Sequence, residues 1–192
     1  MKEQIEKLIR ESVESHQLTY QLVEDIEKTS LLLIKSLKQG GKILVCGNGG
    51  SAAEAQHFSS ELIGKFEKER KALPAISLAT DGSNLTAVGN DVGYEYVFSR
   101  QVEALGNEND VLVCLTTSDY NEIDKHSLNL KYAFIKAREK NMKTILLGSV
   151  KSKKIGEIVD VAIKVNHEKT ARIQEVHLLI IHILTKLIED SL

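Results

Sequence analysis

The chain is poor in the residues that mark linkers, disulfide frameworks and membrane segments. Its one proline is Pro74, and it has no Pro- or Ser-rich stretch, so nothing in it reads as a connector between domains. Its two cysteines, Cys46 and Cys114, sit in separate apolar runs and outside any paired metal spacing. They are expected to be reduced core residues of a cytoplasmic protein. The longest apolar run near the C-terminus, Leu178 to Ile181, is ended by His182, far short of the roughly 20 residues that span a bilayer. Met1-Lys2-Glu3-Gln4 opens onto a charged helical pattern, so no signal segment and no membrane partner are expected. A net charge of −2 offers no basic field, and no nucleic acid partner is expected.

What remains is the composition of a globular protein: 192 residues, 42% hydrophobic and 27% charged, long enough to bury one real core. No internal repeat is visible, and a single domain over 1–192 is the simplest account. Within it, residues 1–39 form an N-terminal helical segment. Ile5, Leu8, Ile9 and Val13 make one helical stripe and Leu22, Ile26, Leu33 and Leu37 another, which predicts two helices or one bent one. Gly40-Gly41 then stops the pattern.

Lys42 to Cys46 is a short apolar run without alternation, the pattern of a buried parallel strand. Similar runs follow at Ala75–Leu78, Val111–Leu115, Thr144–Leu147 and Val161–Val165, most of them separated by helical stretches. The alternation predicts an α/β fold in three αβα layers, a parallel five-stranded sheet flanked by helices. The last predicted helix, about Thr170–Leu192, is apolar on nearly every side between Val176 and Ile188. A helix of that kind must be covered all round, so the terminal helices are expected at a subunit interface.

Four motifs carry chemistry. Gly47-Asn48-Gly49-Gly50-Ser51 follows the first strand. Such a turn either simply joins strand to helix or lets the backbone approach an anion at the helix N-terminus. Its spacing matches neither a P-loop nor a dinucleotide fingerprint. Thr116-Thr117-Ser118 ends the third strand, where ligands bind in open α/β sheets; its hydroxyls suit phosphate oxygens or a capped helix start. His57 and Glu61 are i and i+4 on one helical face. They form half a metal site, or a surface pair, which is the commoner meaning of an isolated His-x-x-x-Glu. Finally, Arg172-Ile173-Gln174-Glu175 and His182 are polar groups on an apolar helix. Gln174 and His182 lie about 12 Å apart in rise, an awkward gap for two ligands of one ion. His177 faces elsewhere and reads as structural.

Together with Gln56-His57-Phe58, Gly89-Asn90-Asp91, Phe98 to Gly106 and Ala171 to Glu175, these motifs resemble the sugar isomerase (SIS) fold, and within it the phosphoheptose isomerases. The resemblance runs from about residue 30 to the end, with a poor stretch at 119–160. It implies a tetrameric enzyme of bacterial heptose biosynthesis, supplying lipopolysaccharide or capsule. That enzyme interconverts sedoheptulose 7-phosphate and D-glycero-D-manno-heptose 7-phosphate. It implies one zinc per subunit, held by His57, Glu61, Gln174 and His182, with Glu61 and His182 as the acid/base pair. Its substrate contacts match Asn48, Gly49, Gly50, Ser51, Glu61, Asn90, Asp91, Thr116, Thr117, Ser118, Ser127 and Gln174. The alternatives are a non-catalytic relative that binds the replication initiator, which closely resembles the glycine loop and 171–175 but lacks the groups matching Glu61 and His182, and an isomerase of another sugar phosphate.

The chain departs from that pattern in places. After Ser118 the family continues with glycine, whereas here Asp119 to His126 precede Ser127, an insertion. It is expected to form a longer lid over a phosphate pocket, with Ser127 resuming the helix start. At about 4 Å, a carboxylate and a phosphate repel by roughly 4 kcal/mol per charge pair at an effective dielectric near 20. Asp119 is therefore expected to point away, to meet a cation such as a lysine of 151–154, or to mark a pocket that no longer holds phosphate well. Since Thr116-Thr117-Ser118 are intact, a rerouted loop that retains phosphate is expected. The family's glycine-rich loop after residue 148 is replaced by Ser149 to Lys154, and Lys65 stands where arginine is common.

Overall fold

The computed structural model describes all 192 residues. The N-terminal segment is two helices, α1 (Lys2–Gln17) and α2 (Val23–Lys38), joined by a 3-10 turn over Leu18–Leu22. Gly40, at φ +78°, turns the chain into β1 (Ile43–Gly47). There follow α3 (Gly50–Ile63), β2 (Ala75–Ser77), α4 (Gly82–Asp91), α5 (Val97–Leu105), β3 (Val111–Leu115) and α6 (Leu128–Glu139). β4 (Lys143–Ser149), the short α7 (Lys153–Gly156), β5 (Val161–Val165) and α8 (Thr170–Ser191) complete the chain.

The five strands form one parallel sheet in the order β2-β1-β3-β4-β5. The strands read as unbroken apolar runs because both faces are covered. Ile43, Val45, Val111, Val113, Ile145 and Leu147 point to one side, where α2, α3 and α8 cover them with Leu33, Phe58, Leu62, Ile180 and Leu184. Leu44, Cys46, Leu112, Cys114 and Leu146 point to the other, against α5 and α6 through Phe98, Val102, Leu130 and Phe134. These are the three αβα layers expected.

The cysteines, 68 residues apart in sequence, prove to be neighbours. Cys46 pairs with Cys114 in the β1/β3 register, both are free and buried, and their sulfurs lie 3.2 Å apart. Burial, with the neighbouring Cys46, pushes the Cys114 thiol well up, so it stays protonated and inert.

α8 lies against α1, α2 and α3. The Ser12 hydroxyl donates to Glu175 (2.7 Å), and Arg172 ties Glu175 to the Leu8 carbonyl. Even so, α8 is not fully covered. Leu178 and Leu187 are exposed, and an apolar groove of about 670 Å³ runs between α8 and α2, lined by Tyr20, Val23, Leu31, Ile34, Leu179 and Ile183.

Candidate active site

The strand order locates the site. From β1 the chain moves to β2 on one side, while β3 lies on the other, so the topological switch point falls between β1 and β3. In open α/β sheets the crevice beyond the carboxyl ends of such strands takes the ligand. Gly47 pairs with Leu115, so the loops that leave side by side are Asn48 to Ser51 and Thr116 to Ser118.

The first loop is built for close approach. Gly49 has φ +55°, a left-handed conformation that favours glycine. A Cβ at Gly50 would collide with the side-chain amide of Gln174, which lies over the start of α3. Asn48 is held by a reciprocal amide pair: it donates to Asn129 Oδ1 (3.0 Å) and accepts from Asn129 Nδ2 (2.7 Å). Tyr94 Oη also donates to Asn48 Oδ1 at 3.4 Å. Sequence reasoning passed over Asn129. Its signal was an amide between Leu128 and Leu130 in the first turn of an apolar helix, where such a residue needs a partner.

The second loop spends part of its polarity on itself. The Thr116 hydroxyl donates to the Ser118 carbonyl (3.1 Å), and the Thr117 hydroxyl lies 3.3 Å from that of Thr170 at the start of α8. Ser127 directly precedes α6 with φ 54° and makes no cap bond, so the helix starts where expected without serine capping. Asn90 and Asp91 end α4 on the surface. Asn90 donates to Asp91 (2.7 Å), and neither side chain bonds to the other candidate residues.

About two turns along α3, the imidazole and carboxylate predicted on one face meet α8. His57 Nε2 lies 3.0 Å from His182 Nε2 and 3.3 Å from Glu61 Oε1. One donor atom from each of the three residues falls within 4.8 Å of the other two. With Zn–N bonds of about 2.0–2.1 Å, a tetrahedral ion has ligand–ligand edges of about 3.3–3.4 Å. The two contacts are close to such edges, and two imidazoles with a carboxylate form a fitting donor set. Three residues that meet like this, two of them 125 positions apart in sequence, are more than the surface pair that His-x-x-x-Glu alone suggests.

Similarity to known proteins agrees with this geometry. The SIS domain family model matches residues 9–149. A phosphoheptose isomerase of Campylobacter jejuni subsp. jejuni serotype O:6 is 49% identical over 188 residues, covering 96% of this chain and 98% of that protein. One from Nitratiruptor sp. is 45% identical with both chains fully covered. The solved phosphoheptose isomerase GmhA from Neisseria gonorrhoeae superposes with a TM-score of 0.90 at 41% identity, covering 98% of each chain. This chain belongs to the phosphoheptose isomerases of the SIS family. It is therefore an isomerase, and the three-residue cluster and paired loops form its candidate active site.

Two groups that sequence reasoning missed brace that site in this family member. Glu189, its side chain fully buried, accepts from the amides of Phe66 (3.2 Å), Glu67 (3.0 Å) and Lys68 (3.0 Å) and from Arg70 Nε (3.1 Å). Burial pushes its carboxyl up, but those amides and then the Arg70 guanidinium outweigh it and hold the carboxyl below the usual range. Arg70 in turn donates to the carbonyls of Glu61 (2.6 Å) and Leu62 (2.9 Å), which end α3. Phe66, fixed by this clasp, stacks on His182 with ring centroids 5.6 Å apart. A buried acid two turns beyond His182 on an apolar helix was the available signal.

His177 stands outside the cluster of His57, Glu61 and His182. It is fully buried, and its Nε2–H donates to the Gly148 carbonyl at 3.0 Å. Its Nδ1 lies 3.8 Å from the Glu54 carboxylate, whose two oxygens are buried without hydrogen bonds.

The insert follows part of its expectation. The Asp119 carboxylate does point away, but it meets backbone amides of Lys154 (2.7 Å) and Ile155 (3.0 Å) rather than a lysine ammonium. Two N–H groups at a helix start satisfy a carboxylate without fixing a long side chain. Tyr120 packs half-buried against the core, residues 121–126 are exposed, and the end of the insert, His126, returns to Ser118.

Proposed function

We propose that this isomerase interconverts sedoheptulose 7-phosphate and D-glycero-D-manno-heptose 7-phosphate in the cytoplasm. It would thereby supply heptose for bacterial lipopolysaccharide or capsule, as a homotetramer with one zinc ion per subunit. The observation that carries this reading is the convergence of His57, Glu61 and His182, two of them on the helix that begins at the glycine loop of the switch point.

Aldose–ketose isomerisation moves a proton between adjacent carbons through an enediol. It needs a base at the carbons, a group that moves the hydroxyl proton, and stabilisation of the oxyanion. His57, Glu61 and His182 would hold the ion, with Gln174 as the fourth donor that the family resemblance implies. When bound, zinc supplies Lewis acidity toward the sugar oxygens. The Glu61 carboxylate takes the carbon-bound proton: with Oε1 turned to His57, it retains a second oxygen for that role. His182 has no spare atom at Nε2, so its transfer of the hydroxyl proton requires Nε2 free in that step. At the other end, the backbone of Asn48 to Ser51 and the hydroxyls of Thr117, Ser118 and Ser127 hold the phosphate, and Asn129 fixes Asn48. Asn90 and Asp91 complete the substrate contacts in this reading.

The tetramer rests on the uncovered groove between α2 and α8. Tyr20 and Leu31, 83% and 60% exposed beside it, are apolar surface that a second copy would bury. The cytoplasmic placement rests on the two free buried cysteines.

The test is turnover of sedoheptulose 7-phosphate with NMR detection of product, in wild type and Glu61→Gln. A folded Glu61→Gln protein is expected to lose about 10²–10⁴-fold in kcat. Wild-type turnover in that variant would remove Glu61 as the base, and no conversion by the zinc-loaded wild type would remove the substrate assignment.

A further inference from the structure

The insert that separates this chain from the family pattern delivers an imidazole to the phosphate end of the site. His126 Nε2 lies 2.8 Å from the Ser118 hydroxyl. The residues on either side of it, Lys125 at φ 60° and Ser127 at φ 54°, are two of the three non-glycine residues with positive φ in the chain. Non-glycine residues adopt that conformation at a cost, and it persists only where surrounding contacts impose it.

Most of those contacts are polar: Ile123 at the tip is 95% exposed, while Tyr120, half-buried against the α5–α6 side of the core, anchors the base of the loop. Asn121 N–H donates to the His126 carbonyl (2.9 Å), and His126 N–H donates to Asp124 (2.9 Å). Lys125 pairs with Glu95 (2.7 Å), and Glu122 pairs with Lys131 (2.5 Å). Asp119 is turned to the amides of Lys154 and Ile155. Every acid of the insert is thus engaged elsewhere, and the group it presents to Ser118 is a hydrogen-bonding ring. A ring N–H and a hydroxyl there can both donate to an anion.

We propose that His126 is a specificity-determining ligand of the substrate's phosphomonoester. Its Nε2–H and the Ser118 hydroxyl donate to the same phosphate group, in place of the glycine turn of the family pattern. The inference rests on the reading of Thr116 to Ser118 as the phosphate end of the site. Charge-assisted hydrogen bonds of this kind are among the stronger polar contacts, and losing one weakens binding by about tenfold or more.

The experiment uses zinc-loaded wild type, His126→Ala and His126→Gln. Inorganic phosphate binding is measured by calorimetry, and KM and kcat with sedoheptulose 7-phosphate. The Ala variant is expected to raise both the phosphate Kd and the KM about tenfold, with kcat within about twofold of wild type. Gln, which keeps an N–H donor, should recover part of the loss. A purely structural role would not move the phosphate Kd and KM together and spare kcat. An Ala variant with unchanged Kd and KM overturns the inference, as does one that binds phosphate more tightly, which would mean that the ring masks Ser118. No phosphate binding by wild type also overturns it. Phosphate binding that His126→Ala weakens, with no turnover of sedoheptulose 7-phosphate by wild type, sustains the inference and refutes the substrate assignment instead.

Discussion

Replacing Arg70 with methionine tests the clasp beneath the active site. The Arg70 side chain is 10% exposed and donates to Glu189, to the carbonyls of Glu61 and Leu62, and to those of Gly64 (3.3 Å) and Lys71 (3.1 Å). Methionine keeps much of the length and apolar stem but leaves the Glu189 carboxylate with only its three amide donors and strands two carbonyls at the end of α3. Because the amides remain, the loss is that of a hydrogen bond to a charged group, about 1.5–3 kcal/mol. For a chain of this size each kcal/mol moves the unfolding midpoint by about 2–4 °C, so the expected drop is about 3–12 °C. The pH dependence has a sign. Glu189 has a depressed carboxyl pKa when folded, so its contribution is present above the unfolded value and is lost as pH falls through the folded one. Without Arg70 the folded value rises, and acid unfolding should begin at higher pH. Differential scanning calorimetry from neutral pH down to about pH 3, below the ordinary Glu value, reads both effects. A midpoint within about 2 °C of wild type at neutral pH would refute this account of the clasp.

Metal analysis of His57→Ala should show zinc content well below wild type, and equal content would take His57 out of the donor set. Gly50→Ala should fold but lose turnover, because its Cβ collides with the Gln174 amide; wild-type kinetics would show that the amide moves aside freely. Light scattering at micromolar concentration should give a tetramer mass, and a monomer would leave the groove between α2 and α8 without its proposed cover.

The sequence by itself determined the layering of this protein. Whether a strand is buried on one face or both is written in its local pattern, so the unbroken runs at Ile43–Cys46 and Val111–Leu115 predicted a covered parallel sheet. Gly40-Gly41 marked the stop of the N-terminal helices, and the i, i+4 spacing put His57 and Glu61 on one face. All of these are short-range facts, set by backbone sterics and helical or strand period. The family motifs further pointed to His182 as a partner, but local spacing alone left it unconnected to His57.

Tertiary structure decided what depends on strand order and on the register of one helix against another. Only the β2-β1-β3 order sets the glycine loop beside Thr116 to Ser118, and only the packing of α3 on α8 brings His182 within 3.0 Å of His57. The same packing turns Glu189, a buried acid with no local explanation, into the clasp on Arg70, and the β1/β3 register turns two distant cysteines into neighbours. The direction of Asp119 was legible as a charge argument, but its partners were not. Which backbone amides stand free beside it depends on where α7 begins, 35 residues further along the chain. Periodicity records which face of an element is buried, whereas the choice of what lies against that face is made by the whole chain as it packs.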